Sequence, residues 1–209
     1  MTPAAVQVRF ADRRSAISLA AFAALLVALA AAPAWAGRDD LRLLSEIYAY
    51  VALASLWNLL AGYAGLVSIG QQAYVGLGGY MLFALTILAG ISPLWAIPAA
   101  GLIGALAAIP VAALVFRLRG HYFAIGTWVV AEVFRLLASQ ASALGGGSGT
   151  SLPATIVIAI APTRAMREFV VYWVALALAV AILGLILWLL RSRYGLALTA
   201  IRDNELAAS

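Results

Sequence analysis

Charged residues fall between long apolar runs rather than inside them. Residues 15–37 carry none, and residues 47–116 carry none over 70 positions. A helix needs about 20 apolar residues to cross roughly 30 Å of hydrocarbon. The first run therefore predicts one span and the second predicts three. Breaks inside the second run fall at Gly62–Gly79, which holds six glycines, and at Gly90, Pro93 and Pro98. Residues 120–139 predict a fifth span, interrupted by Glu132 and Arg135, and residues 169–190 predict the sixth and cleanest. The expected fold is an all-α polytopic membrane protein with about six transmembrane helices and a broken or Gly-rich helix around 62–80. Its parts are an N-terminus at 1–14, a transmembrane domain at 15–190 and a polar segment at 191–209. Connections are short except for 140–167. There, Gly145–Thr150 predicts a flexible external loop, and the apolar stretch between Pro153 and Pro162 is too short to span.

Composition narrows the class. Apolar residues make up 66% of the 209 positions and charged residues 10%, against roughly 45–50% and 25% in soluble domains. A soluble enzyme and a disordered tail are both excluded. All 13 basic residues are Arg, scattered between apolar runs, so the net charge of +5 marks no nucleic-acid patch. With no Cys and one His there is no thiol nucleophile and no metal cluster, and no catalytic residue is assigned.

Arg placement sets the orientation. With six spans and a cytoplasmic N-terminus, Arg9, Arg13, Arg14, Arg117, Arg119, Arg191, Arg193 and Arg202 lie inside. Arg38, Arg42, Arg135, Arg164 and Arg167 lie outside. Eight against five places both termini in the cytoplasm. Arg13-Arg14, the apolar run and Ala34-Trp35-Ala36 also imitate a cleaved signal peptide. An uncleaved first span competes with that reading, because 15–36 is long enough to cross.

Four stretches carry candidate chemistry. The first, from Asn58 to Tyr80, holds Ser68, Gly70 and the adjacent pair Gln71-Gln72. Amides inside a membrane are costly unless they meet partners or water, while glycines permit close packing or a helix break. Two readings stand: a broken helix lining a polar path at mid-depth, or packing of small residues with the Gln side chains bonded across the interface. The second stretch, Phe116–Ile125, marks a turn at the inner membrane face, with His121 read as an interfacial residue. The third is Glu132 with Arg135, three apart and on one helix face. It is read as an ion pair reaching toward the headgroups, with a polar spot inside the bundle as the alternative. The fourth is Arg191–Ala208, where Leu198, Ile201 and Glu205 recur at helical spacing. Asp203 or Asn204 is placed to cap a helix beginning at Glu205. It reads as a surface helix on lipid or as a docking helix.

In these stretches the sequence resembles the inner-membrane permeases of branched-chain amino-acid ABC importers, the LivM-type subunits. The likeness runs from about Tyr48 to Ser209. It includes Asn-x-x-x-Gly-Tyr-Ala-Gly-x-x-Ser-x-Gly-Gln at 58–71 and Gly-x-Gly-x-Tyr at 76–80. Leu-Arg-Gly-x-Tyr-Phe-Ala-Ile follows at 118–125, then the Gly-Gly-x-x-Gly loop and Arg-Ser-Arg-Tyr-Gly…Ala-Ile-Arg-Asp-Asn-Glu-x-Ala-Ala at 191–208.

The resemblance implies a bacterial inner-membrane subunit that pairs with a second permease subunit, two cytoplasmic ATPases and a periplasmic substrate-binding protein. ATP and Mg would be held by the ATPases and no cofactor by this chain, which lacks Gly-x-x-x-x-Gly-Lys-[Ser/Thr] and any Lys. It implies that Glu205-Leu206-Ala207-Ala208 belongs to an ATPase-coupling helix. Arg191, Arg193, Tyr194, Gly195, Ile201, Arg202, Asp203 and Asn204 lead into that helix. Asn58, Ser68, Gly70, Gln71 and Gln72 are the candidate path residues. Gln72 stands where a small residue is expected, and the family continues beyond the position of Ser209. A truncated or partial permease is therefore expected, with a self-contained channel, a secondary transporter or an inactive remnant as alternatives.

Overall fold

A computed structural model describes residues 13–203. It is helical throughout the described residues, with no strand. The helices are α1 (Arg13–Ala31), α2 (Arg38–Asn58), α3 (Gln71–Ile87), α4 (Pro93–Val115), α5 (His121–Ser139), α6 (Ala154–Ile160), α7 (Arg164–Arg191) and α8 (Arg193–Asp203). The chain from Arg38 to Tyr63, α4, α5 and α7 are each long and apolar enough to cross a membrane. The six expected spans correspond to α1, α2, α3, α4, α5 and α7. Of these, α3 has 17 residues, about 26 Å at 1.5 Å per residue, and the apolar helical stretch at α1 runs over Ala20–Ala34, through the 3-10 turn that follows α1. Leu102, Leu106 and Ile109 of α4 are exposed, as a lipid-facing stripe requires and a water-facing one rarely shows.

Two helices begin earlier than the apolar pattern predicts, because their first turns carry caps and ion pairs. In α2 the Asp40 carboxylate accepts from Gly37 N at 3.1 Å, and Arg42 pairs with Glu46 at 3.4 Å. In α7 Thr163 Oγ1 accepts from Met166 N at 3.2 Å, and Arg164 pairs with Glu168 at 3.2 Å. Orphan N–H groups and the positive helix end favour such side chains.

The core is built where α2 and α7 run side by side in the same direction, closed by the end of α1. Ala32, Leu41, Tyr48, Tyr172, Leu176 and Ala179 form it. Pro33 has no N–H to give to the Leu29 carbonyl four residues back. The fully buried Tyr172 donates its hydroxyl to that carbonyl at 2.6 Å, and the Tyr48 hydroxyl lies 2.8 Å from Tyr172 Oη. Because the Tyr172 proton goes to Leu29, Tyr48 is the donor in the second bond. The rings meet edge to face with centroids 5.6 Å apart. Ala32 is thus part of the core, with Leu29 and Ala36 packed against it.

A second group is formed by α3 packed against α4 and α5. The two groups share the segment between α2 and α3. The end of the bundle reached by residues 59–70, 115–121 and 191–203 is called the inner end below, and the opposite one the outer end. At the inner end α8 leaves α7 and folds against the π-helical turn Leu59–Tyr63.

Candidate functional site

The break expected around 62–80 is confined to its first half. The π-turn ends at Tyr63, residues 64–70 are irregular, and α3 then runs uninterrupted past Gly76, Gly78 and Gly79. The break closes on itself and on α5. Trp57 Nε1 donates to Ser68 O at 2.9 Å, Ile69 N donates to Thr127 Oγ1 at 3.1 Å, and Thr127 Oγ1 donates to Ala124 O at 2.8 Å. Gly70 is dictated by contact, since a Cβ there would strike the Thr127 backbone carbonyl. Gly65 is dictated by conformation, with φ of +70°, a region costly for any side chain.

The same turn receives α8. Arg202 donates from Nη1 to Gly62 O at 3.1 Å, and a Cβ on Gly65 would come within 3.0 Å of Arg202 Cγ. Gly195 is buried against Leu190, which sets the angle between α7 and α8. Arg191, Arg193 and Tyr194 are exposed on this face. Ile201 and Asp203 lie within α8. Asn204, Glu205, Ala207 and Ala208 lie outside the described residues. The inner end therefore gathers α8, the end of α2 and the start of α3 around the Gly62–Gly65 backbone.

The outer half holds a groove of about 820 Å³ between α3 and α5, roofed by the Gly145–Gly149 loop. Gln72, Tyr80, Trp128, Glu132, Arg135 and Ser148 are among its walls. The loop is folded rather than loose. It makes two 3-10 turns, buries Leu144 and Gly146, and accepts a hydrogen bond from Tyr80 Oη to Gly146 O at 2.7 Å. Arg135 Nε lies 2.9 Å from Glu132 Oε2 and 3.1 Å from Oε1, and Nη2 also bonds Oε1. The pair faces the groove in the middle and last turns of α5, with the guanidinium 64% and the carboxylate 47% exposed. Charges so placed do not face hydrocarbon at acceptable cost.

The candidate path residues are divided among different surroundings. Gln72 lines the large groove, while Ser68 and Gly70 line a separate pocket of about 210 Å³ shared with α4 and α5. The Asn58 side chain lies under Gly62 inside the π-turn. Gln71 is exposed and borders neither opening. Among the described residues neither Gln side chain has a hydrogen-bond partner. The interface-bonded reading of the two amides is therefore not what the chain itself displays. His121 is exposed at the first position of α5.

Sequence reasoning gave Tyr80 and Thr127 no role, and set the Glu132–Arg135 pair toward the headgroups. A hydroxyl inside a span was the available signal for the first two. For the pair, its distance from the end of the apolar run was the signal: seven and four residues separate Glu132 and Arg135 from Ser139, the last residue of α5.

The family model described as the permease component of the branched-chain amino acid transport system matches residues 41–209. Two curated relatives are high-affinity branched-chain amino acid transport system permease proteins LivM, from Salmonella typhimurium and Escherichia coli K12. Each is 30% identical over 206 positions, covering 88% of this chain and 48% of the relative. The chain spans about half the length of the curated relatives it matches. No solved structure matches it.

Proposed function

The chain belongs to the branched-chain amino acid transport permease family, and from that premise we propose that it is a membrane permease subunit of an ATP-driven importer. Its cargo is a branched-chain or related amino acid. Its partners are a second permease subunit, two cytoplasmic ATPases that hold ATP and Mg, and a periplasmic binding protein. The inner end of the bundle faces the cytoplasm. Seven Arg (13, 14, 117, 119, 191, 193 and 202) belong to that end among the described residues, with Asp203 as its acid.

The observation that carries the reading is the family match over 41–209. The Arg202–Gly62 contact supports the mechanical part. A force applied to α8 by a closing ATPase acts directly on the turn between α2 and α3. From there it reaches α5 through Ile69 and Thr127. The groups α1–α2–α7 and α3–α4–α5 then tilt against each other, so the polar groove opens alternately to the two sides.

The test is ATP-driven uptake of L-leucine by the assembled transporter in proteoliposomes, with Ala207→Trp compared to Glu205→Gln. An exposed ion pair contributes only about 0.2–1 kcal/mol, so the shape of the small-residue turn outweighs its charge. Ala207→Trp is expected to leave ATP hydrolysis running while abolishing uptake, and Glu205→Gln to weaken uptake only mildly. Uptake that needs no ATP would instead mark a self-contained channel or secondary transporter.

A further inference from the structure

We propose that the α3–α5 groove is a subsite for a zwitterionic α-amino acid with an apolar side chain, held jointly by Glu132 and Arg135. The proposal rests on the permease reading above and adds the place and chemistry of recognition.

Glu132 takes Arg135 Nε and Nη2, and Arg135 Nη1 has no partner among the described residues. A carboxylate offers about four acceptor positions and a guanidinium five donors. Both partners therefore have capacity left, and both point into the opening. Because the pair is neutral as a whole, an anion gains at Arg135 what it loses at Glu132, and a cation the reverse. A ligand carrying an ammonium and a carboxylate one carbon apart gains at both, its carboxylate on Arg135 Nη1 and its ammonium on Glu132. Charge-assisted hydrogen bonds of this kind are the strong ones.

The rest of the groove suits the remainder of such a molecule. Leu77, Trp128 and Leu137 supply apolar wall for a hydrocarbon side chain. The opening of about 820 Å³ falls within the roughly 300–1,000 Å³ of small-molecule sites. Gln72 stands at its inner limit, on the first turn of α3, so the groove reaches from the outer loop toward the break. Tyr80, bonded to Gly146, holds the loop over the outer limit.

The test uses the absence of Cys from this chain. In the assembled transporter, the thiol introduced by Ala138→Cys, on the groove wall, is reacted with a water-soluble methanethiosulfonate. Gly147→Cys, at a position where an added Cβ meets nothing within 4 Å, is the second reporter should the first fail to assemble. Saturating L-leucine is expected to slow labelling about tenfold, as when roughly nine-tenths of sites are filled. 4-Methylpentanoate, which lacks the ammonium, and 3-methylbutylamine, which lacks the carboxylate, are expected to leave the rate unchanged. In Arg135→Gln and in Glu132→Gln, leucine protection is expected to vanish while labelling without ligand persists. Equal protection by all three compounds overturns the proposal, as does no protection by leucine or a thiol that never reacts. ATP-driven leucine uptake in the same vesicles separates the two readings. Uptake without protection removes the subsite and leaves the transport function, whereas protection without ATP-driven uptake keeps the subsite and removes that function.

Discussion

Removing one oxygen atom from Tyr172 should loosen the attachment of α1. Tyr172 is fully buried, and its hydroxyl both donates to Leu29 O and accepts from Tyr48. Tyr172→Phe keeps the ring and its packing but strands two buried groups. One is the Tyr48 hydroxyl. The other is a carbonyl whose usual helical partner is missing because residue 33 is Pro. An unsatisfied buried group costs about 1–3 kcal/mol, and interhelical hydrogen bonds in membranes average about 0.6 kcal/mol because the unfolded chain finds other partners. The stranded carbonyl has no local substitute, so the expected loss is about 1–3 kcal/mol rather than the membrane average. Tyr48→Phe removes only the outer bond of the chain and should cost about 0.5–1 kcal/mol. Pro33→Ala restores an N–H near Leu29 O, so Tyr172→Phe should cost at most about half as much in that background. The assay is equilibrium unfolding of the purified protein in mixed micelles by SDS titration, run on all single and double variants. A Tyr48→Phe loss equal to that of Tyr172→Phe, or a Tyr172→Phe loss that ignores Pro33→Ala, would refute the relay.

Three further outcomes are expected. Gly70→Ala drives a methyl into the Thr127 carbonyl and should destabilise by about 1–3 kcal/mol. Gly78→Ala meets nothing within 4 Å and should be neutral or stabilising by up to about 1 kcal/mol, both read by thermal unfolding. Reporter domains fused after Ser209 and inserted at 145–150 should lie on opposite sides of the membrane, with Ser209 cytoplasmic. A periplasmic signal at Ser209 would reverse the assignment of the inner end.

How much of this was legible in the sequence follows from what kind of force places each part. The helices were legible because one local quantity decides them, the length of an uncharged run against the thickness of hydrocarbon. Helix starts were less so: α2 begins at Arg38 and α7 at Arg164, inside charged stretches, since Asp40 and Thr163 supply caps that hydropathy does not register. The break at 59–70 was visible as a cluster of glycines. Which glycines break the chain was not, because Gly65 and Gly70 are set by a left-handed φ and by Thr127, 57 residues away from Gly70 in sequence. The candidate site divides along the same line. Gln71 and Gln72 were singled out together, yet Gln72 lines an opening and Gln71 borders none, and only the helical phase of α3 separates them. Glu132 and Arg135 lie three apart, which identifies the pair but not its direction. Its orientation depends on α5 packing Phe123, Thr127 and Ala131 inward, which turns the following residues toward the groove. The inner end shows how local and distant causes combine. Arg202 was placed among the residues leading into a coupling helix, and its guanidinium sits on Gly62 O, 140 positions earlier. A side chain on Gly65 would crowd that contact. The glycines of the first stretch and the arginine of the fourth are therefore one structure, and a change at either position should be felt at the other.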